Sequence, residues 1–580
     1  MHKTCTQCSA GFDVTDEDLA FYDKVSPIFN GKKELIPPPT LCPNCRQQRR
    51  MAFRNERHLY HRKCDLTGKQ IISMYAPESP LTVYEKSAWW SDRWDALSYG
   101  KEFDFSRPFF DQYEELHNIV PRPSLYQKNV ENSDYTNHVE NLKNGYLSVD
   151  VGAGSEDIYY SKWIIASKNI CDSYQLENAE LCYECLYSVG DFRCTYVYLS
   201  DRCSDSAFLY DCQDCNSCFL CSNLRHKQFC FENTQYTEEE YRSMMREIDL
   251  GSSAVFQSCL MRYADMLQHR AIHRDCAMIG CEDCTGDFLY KCKNVRDSFE
   301  VIESQDVRYC YEAGALKDCY DIYESAFDCN LQYDSYSCNR ATSILFTGIC
   351  YDASNLLYSN NCHNSHDLFG CIGMKRHQYC ILNKQYTKKE YEELVPKIIE
   401  HMRHDGGGAI NHDGVHGSAM NPSGTSGSWG EHFPVGLSPF GYNETVAQDY
   451  FPLSKEVTQP KGWKWHDEES QEEQYLGPKT VIPDNIKDVS DDIVKLILRC
   501  EQTEKPYKII PQELKFYHTM NLPIPRTCPD ERHKNRMALR NPRAFWNRAC
   551  AKCTKMISTS FAPERPEIVY CEECYLETIY

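Results

Sequence analysis

The sequence predicts a mainly β, multidomain chain: tandem parallel β-solenoid (β-helix-like) units lie between two α+β modules at the termini. Three observations lead there. The chain is 580 residues long, more than one hydrophobic core organises. Compared with itself it shows two separate duplications. Its 34 cysteines fall into two patterns, C-x2-C pairs near the ends and a regular spacing in the middle.

The first duplication joins the termini. The segment from Cys42, CPNCRQQRRMAFRNERHLYHRKC, aligns without gaps to the segment from Cys528, CPDERHKNRMALRNPRAFWNRAC, at a shift of 486. Upstream, DLAFY (Asp18–Tyr22) matches ELKFY (Glu513–Tyr517) at a shift of 495, so the C-terminal copy has a loop nine residues shorter. Residues 1–105 and 496–580 are the two modules on this reading.

The second duplication lies between them. NLRHKQFCFENTQYTEEEY from Asn223 matches GMKRHQYCILNKQYTKKEY from Gly373 at a shift of 150, and Lys168, Asp172 and Tyr174 fall on Lys317, Asp321 and Tyr323. Two units follow, 125–250 and 251–403. Within them cysteines recur nine to twelve residues apart, as at 203, 212, 221 and 230, among short strings such as CDSYQL and NLLYSN. Aromatic and β-branched residues alternating with Asp, Asn and Ser read as short strands closed by tight turns. That period suggests a solenoid with two such stretches per coil and a ladder of small, neutral cysteines inside. Thr237 with Glu240, and Thr387 with Glu390, predict capping boxes on helices that close each unit. Residues 404–430 read as a flexible Gly/Ser/His linker, and 431–495 as an aromatic, Pro-rich wrapping segment followed by a helix in DNIKDVSDDIVKLILRC.

The end cysteines carry the clearest chemistry. Tetrahedral zinc takes four soft ligands, and two C-x2-C knuckles supply them. Cys5, Cys8, Cys42 and Cys45 form one such set, and Cys550, Cys553, Cys571 and Cys574 the other, so two structural Zn2+ ions are expected. With all four ligands from protein, no position stays open for a reacting water. Each module has lost the other's site: the positions matching the first set read Cys500, Thr503, Cys528 and Glu531, and those matching the second read Cys64, Thr67, Glu85 and Ala88. The two tryptophans that follow, Trp89 and Trp90, are candidates to pack where metal is missing. Other groupings carry less. Cys212-x2-Cys215-x2-Cys218-x2-Cys221 is spaced like an iron–sulfur string, but its duplicate retains only Cys362 and Cys371. His269, His273, Cys276, Cys281 and Cys284, and the histidines 401, 404, 412 and 416, have irregular spacing.

Net charge is −21, yet both ends are locally basic. Cys42–Lys63 holds seven Arg/Lys against one Glu. Arg46, Arg49, Arg50 and Arg54, and in the C-terminal module Arg532, Arg536, Arg540 and Arg543, are candidate nucleic-acid contacts, because Arg46, Arg50 and Arg54, like Arg532, Arg536 and Arg540, are spaced at i, i+4 and i+8, which lines guanidinium forks along one helical face. The alternative for the same face is internal or protein–protein pairing against the acidic middle. No nucleotide, protease or hydrolase motif is present in the sequence, and no stretch reads as a signal peptide or membrane span; a cytoplasmic protein with reduced thiols is expected.

The strings CPNCR…RNERHLYHRKC, FDFSRPFF (Phe103–Phe110) and SPFGYNETVAQDYFPLSKE resemble the large zinc-ribbon proteins of candidate-phyla-radiation bacteria. The likeness spans nearly the whole chain and implies a cytosolic bacterial ribbon protein without implying an activity. The expected function is a non-enzymatic zinc protein whose ribbons bind RNA or DNA while the solenoids space them or dock a protein. A pure protein–protein scaffold and a solenoid carbohydrate-active enzyme are the alternatives.

Overall fold

The computed structural model describes residues 1–336, 338–339, 342–404, 428–467 and 480–580. The chain is mostly β and divides into two compact units. One comprises Met1–Leu125 with Ala277–Asp467, the other Tyr126–Cys276 with Glu468–Tyr580. The N-terminal module thus belongs with the second repeat, and the C-terminal module with the first.

In the unit built on Tyr126–Cys276, short strands pair in parallel with the strand twelve residues on: Glu156 with Lys168, Lys168 with Glu180, Glu180 with Phe192. Nine strands, from Asn137–Tyr146 to Phe192–Tyr198, close into a ring. The expectation of two nine-to-twelve-residue stretches per turn is corrected by this offset, since one stretch of twelve already returns the chain to its own ladder.

A three-residue step underlies the twelve. Asp172, Gln175, Asn178, Leu181 and Glu184 all adopt left-handed backbone with φ of 51–54°. That conformation is least unfavourable for Asn and Asp, which explains their frequency. The residue after each such corner turns inward, and Ile158, Ile164, Ile170, Leu176, Cys182 and Cys194 are at most 1% exposed. The nine-residue cysteine spacing now has a cause. The thiols of Cys185, Cys194, Cys203, Cys212 and Cys221 each lie 3.5–3.8 Å from the carbonyl nine residues later, one turn on and one corner back. Inward serines serve the same ladder: Ser173 N–H donates to Ser161 Oγ at 3.0 Å, and Cys185 N–H to Ser173 Oγ at 3.1 Å. The ladder ends where Thr234–Gln235 turns back antiparallel, and the helix Glu238–Arg246 follows with the Thr237–Glu240 capping box in place.

The other unit repeats this plan in a ten-stranded sheet. Gly286 pairs with Ser298 and Thr342 with Ser354, again twelve apart; a bulge after Gly314 lengthens one turn to thirteen. The helix Lys388–His404 follows, and Thr387 and Glu390 exchange capping hydrogen bonds.

The helix expected after residue 484 does not form. Asn485 and Ser490 use their side chains to bond the backbone N–H two residues on, closing the 3-10 turns Ile486–Asp488 and Asp491–Lys495, and the chain then extends into the strand Leu498–Arg499. Asn and Ser compete with helix in this way. The wrapping segment 431–467 runs through short turns in the first unit: Ser438 Oγ donates to the carbonyl of Ala52 and Gln48 to the Tyr442 hydroxyl. Most of the expected linker, 405–427, lies outside the described residues. Among the described residues, no helix is long and apolar enough to cross a membrane.

Candidate metal centres and the arginine–carboxylate contacts

Two groups of four cysteines can each hold a metal ion, Cys5–Cys8–Cys42–Cys45 and Cys550–Cys553–Cys571–Cys574, with all Sγ atoms of a group within 4.8 Å of one another. In the first, Cys8 and Cys42 Sγ are 3.7 Å apart; in the second, Cys553 and Cys571 Sγ are 3.7 Å apart. A tetrahedron with metal–sulfur bonds of about 2.3 Å has edges of about 3.8 Å, so both sets fit zinc. The Cys42 thiol is pulled down to about 5, chiefly by its hydrogen bond with Cys45. At Cys550 burial pushes the pKa up, but backbone N–H groups of Cys553 and Cys571 outweigh it and hold the thiol at about 6. Each set thus holds one thiol drawn toward the thiolate, while its neighbours are pushed up, Cys45 chiefly by its hydrogen bond with Cys42 and Cys574 chiefly by burial.

Backbone hydrogen bonds shape the first C-x2-C knuckle of each set, while Cys42 and Cys571 of the second knuckles cap helices. In each first knuckle, the cysteine N–H donates to the carbonyl five residues on, and the residue four on donates back: Cys5 with Ala10 and Ser9, Cys550 with Lys555 and Thr554, at 2.8–3.0 Å. The two depleted sites keep this turn unchanged, as Cys64 with Lys69 and Gly68, and Cys500 with Lys505 and Glu504. What replaces the ligands differs. In the N-terminal module Cys64, Tyr84, Ala88 and Trp89 form an apolar cluster, with Trp89 fully buried. Trp90 does not share the role, being 48% exposed. In the C-terminal module Cys500 and Cys528 stay buried, with Thr503 Oγ1 3.9 Å from Cys528 Sγ.

The remaining groupings are not gathered for a metal among the described residues. Cys212 and Cys221 donate to Tyr210 and Phe219 carbonyls, Cys215 and Cys218 to those of Gln213 and Asn216. Both His273 ring nitrogens are engaged, by the Tyr210 hydroxyl and the Leu267 carbonyl, and Cys276 donates to Ser558. His401 and His404 contact the Arg107 carbonyl and Glu400, while 412 and 416 lie outside the described residues.

The arginine rows, read from sequence as candidates for phosphate contact or for internal pairing, are for the most part buried. Arg46, Arg50, Arg54, Arg532 and Arg536 are 0–4% exposed and Arg49 is 7% exposed. Arg540 and Arg543 are half-buried. The helices that carry the row, Pro43–Met51 and Pro529–Ala538, end before Arg54 and Arg540. Cys42 and Cys528 start them, each followed by a Pro suited to the first helical position.

Their partners lie within the same unit and are mainly ladder carboxylates, joined by Glu431 of the wrapping segment and Glu513 of the helix Pro511–Met520. Arg46 Nε donates to Asp321 at 2.6 Å; Arg50 donates to Asp334 and, at 3.4 Å, to Asp321; Arg49 spans Asp334 and Glu431 at 2.6 and 2.8 Å. In the other unit Arg532 meets Asp172 at 3.0 Å and Glu513 at 3.2 Å, and Arg536 donates to Asp172 and Glu184 at 2.8 and 3.0 Å. The rings match as well. Arg46 lies over Tyr309 and Arg54 over Tyr323, while Arg532 lies over Tyr160 and Arg540 over Tyr174. Apart from the contacts of Arg49 and the Arg532–Glu513 pair, these are under the two duplications the same contacts made twice. Burial pushes the Asp334 carboxyl up, but Arg50 and Arg49 outweigh it and hold it below the usual range. Burial lifts Glu184 to about 8 against the pull of Arg536.

Sequence reasoning allowed internal pairing against the acidic middle but did not name these carboxylates. The signal was present: Asp172 and Tyr174 coincide with Asp321 and Tyr323 in the internal alignment, on the turn that faces the arginines. No protein-family model and no curated protein matches the chain.

Proposed function

We propose that the protein is a non-enzymatic, zinc-stabilised scaffold in which each terminal ribbon is a docking module for a β-solenoid of twelve-residue turns. One observation carries this reading: the arginine rows of both modules are buried on carboxylates and tyrosines of the parallel ladders, in two copies of one contact set. A guanidinium already paired and excluded from water is not displayed to a phosphate backbone, so the reading favours docking over nucleic-acid contact. Closed four-cysteine sites leave no coordination position for substrate, which favours structural zinc. The i→i+12 parallel register and the inward thiol ladder support the solenoid. Buried free thiols in this number suit a reducing compartment such as the cytoplasm.

The test pairs metal analysis with nucleic-acid titration of the full chain. The scaffold reading expects two zinc ions per chain and no saturable binding of RNA or duplex DNA at low salt. Saturable, salt-dependent binding that is lost on Arg50→Glu with Arg536→Glu, in protein that keeps its zinc, would overturn it.

A further inference from the structure

Two docking faces built to one plan pose a selection problem. The module Met1–Leu125 sits on the ladder that begins after Ala277, and the C-terminal module on the ladder that begins after Tyr126. The shared pairs cannot decide this, because Arg46 and Arg532, or Asp321 and Asp172, offer the same chemistry on both sides. Two contact sets differ on both the module and the ladder side; a third, Arg49 with Asp334 and Glu431, differs on the module side, where Asn535 stands in place of Arg49.

The first surrounds Arg308. This largely buried side chain pairs with Glu17 and Asp18 and donates to Thr15 Oγ1 at 3.1 Å, at the start of the helix Asp16–Val25. The duplicated positions in the other unit carry Tyr159 in place of Arg308, and Ile510 and Gln512 in place of Thr15 and Glu17. In an exchanged pairing Arg308 would face Ile510 and Gln512 and lose two of its three partners.

The second involves the helices Lys86–Trp90 and Glu572–Ile579 and the aromatic residues just beyond them. Lys375 lies 4.8 and 4.4 Å from the Trp89 and Trp94 rings and donates to the Trp89 carbonyl at 2.6 Å. The aligned residues of the other unit are Arg225, Tyr575 and Tyr580. There Arg225 donates to the Tyr575 hydroxyl at 2.8 Å and stacks 4.9 Å from Tyr580, while that hydroxyl donates to Asp211. Asp211 aligns with Asn361. Trp89 has no hydroxyl to give Asp211, and Tyr575 would find neither carboxylate nor guanidinium beside Asn361 and Lys375.

We infer that these two contact sets form a selectivity code that assigns each terminal module to its own ladder. The shared arginine pairs supply the attraction, and the code penalises the wrong combination by stranding a buried charge or hydroxyl. The inference rests on the docking reading and adds which residues choose.

The test exchanges the code between ladders in the full chain: Tyr159→Arg, Arg308→Tyr, Asp211→Asn, Asn361→Asp, Arg225→Lys and Lys375→Arg. The readout is zero-length carbodiimide cross-linking read by mass spectrometry. Glu102 and Lys384 form an ion pair between module and ladder, and Thr234 holds the place of Lys384 in the other ladder. With Thr234→Lys added as a reporter, the unexchanged chain should link Glu102 to Lys384. The exchanged chain should lose at least five-fold of that product and link Glu102 to the lysine at 234 instead. Retention of the Glu102–Lys384 product in the exchanged chain overturns the code. Its absence from the unexchanged chain overturns the docking reading itself.

A smaller set guards against simple unfolding. Trp89→Tyr with Trp94→Tyr alone should lower the Glu102–Lys384 product several-fold, and adding Lys375→Arg with Asn361→Asp should restore it. An unchanged yield in the first variant, or no recovery in the second, counts against the proposal.

Discussion

Asp172→Asn should destabilise the unit that contains it far more than any exposed ion pair does. The carboxylate is fully buried and takes Arg532 at 3.0 Å and Arg536 at 2.8 Å. Asparagine preserves the shape but removes the charge, leaving two buried guanidiniums to share Glu513 and Glu184. Breaking a buried pair by removing one partner costs about 3–5 kcal/mol. The loss corresponds to roughly a thousand-fold in the folding equilibrium. By comparison Lys128–Glu140, whose side chains are 70% and 44% exposed, contributes about 0–1 kcal/mol. Denaturant unfolding followed by hydrogen exchange on residues 529–540 measures the effect where it should appear. A loss below about 1 kcal/mol, or unchanged protection of that helix, would refute the buried-pair argument.

Four further outcomes are expected. Cys42→Ser should remove one zinc of two, while Thr67→Cys with Glu85→Cys and Ala88→Cys should raise the count to three, because the Cys64 knuckle is already folded; metal analysis decides both. Zinc chelation should unfold the ribbon hairpins, since a structural site of this kind is coupled to about 10 kcal/mol or more of folding free energy, and the ladders should keep their far-UV signal. Cys212→Leu should cost about 1–3 kcal/mol in denaturant unfolding by overfilling the thiol ladder, where Cys212 is fully buried. Burial lifts the Asp191 carboxyl to about 8 from an ordinary value of 3.8. The folded state therefore holds a proton at Asp191 that the unfolded chain releases, so this group's contribution to stability is fully present below about pH 4 and is lost as pH rises to about 8, by up to about 1.4 kcal/mol per pH unit. Asp191→Asn should flatten that slope in melts at pH 5 and pH 8.

The metal sites were legible in the sequence because their ligands come as C-x2-C pairs, and a knuckle is a local turn set by backbone bonds such as Cys5 with Ala10. The β ladders were legible as a period. Only their step was misjudged, since cysteines nine apart look like one repeat length when they report a twelve-residue turn less a three-residue corner. The left-handed corners at Leu181 and Glu184 left no residue-type signal of their own, so the step was hidden. The arginine row shows the other limit. Spacing at 46 and 50 gives a face, but what that face meets depends on Asp321 and Asp334, almost three hundred residues away in sequence. Charge alone does not separate phosphate from carboxylate. The expected helix at 484–500 failed for a local reason, the side-chain turns at Asn485 and Ser490.

The central claim is that the arginine rows are internal. Phenylglyoxal labelling of the native, zinc-loaded chain, mapped by peptide mass spectrometry, measures guanidinium exposure residue by residue. Arg242, whose side chain is 60% exposed, is the reference. Arg46, Arg50, Arg532 and Arg536 should label at least ten-fold more slowly than Arg242 and catch up only in denaturant. Labelling of these four at the rate of Arg242 would contradict the account.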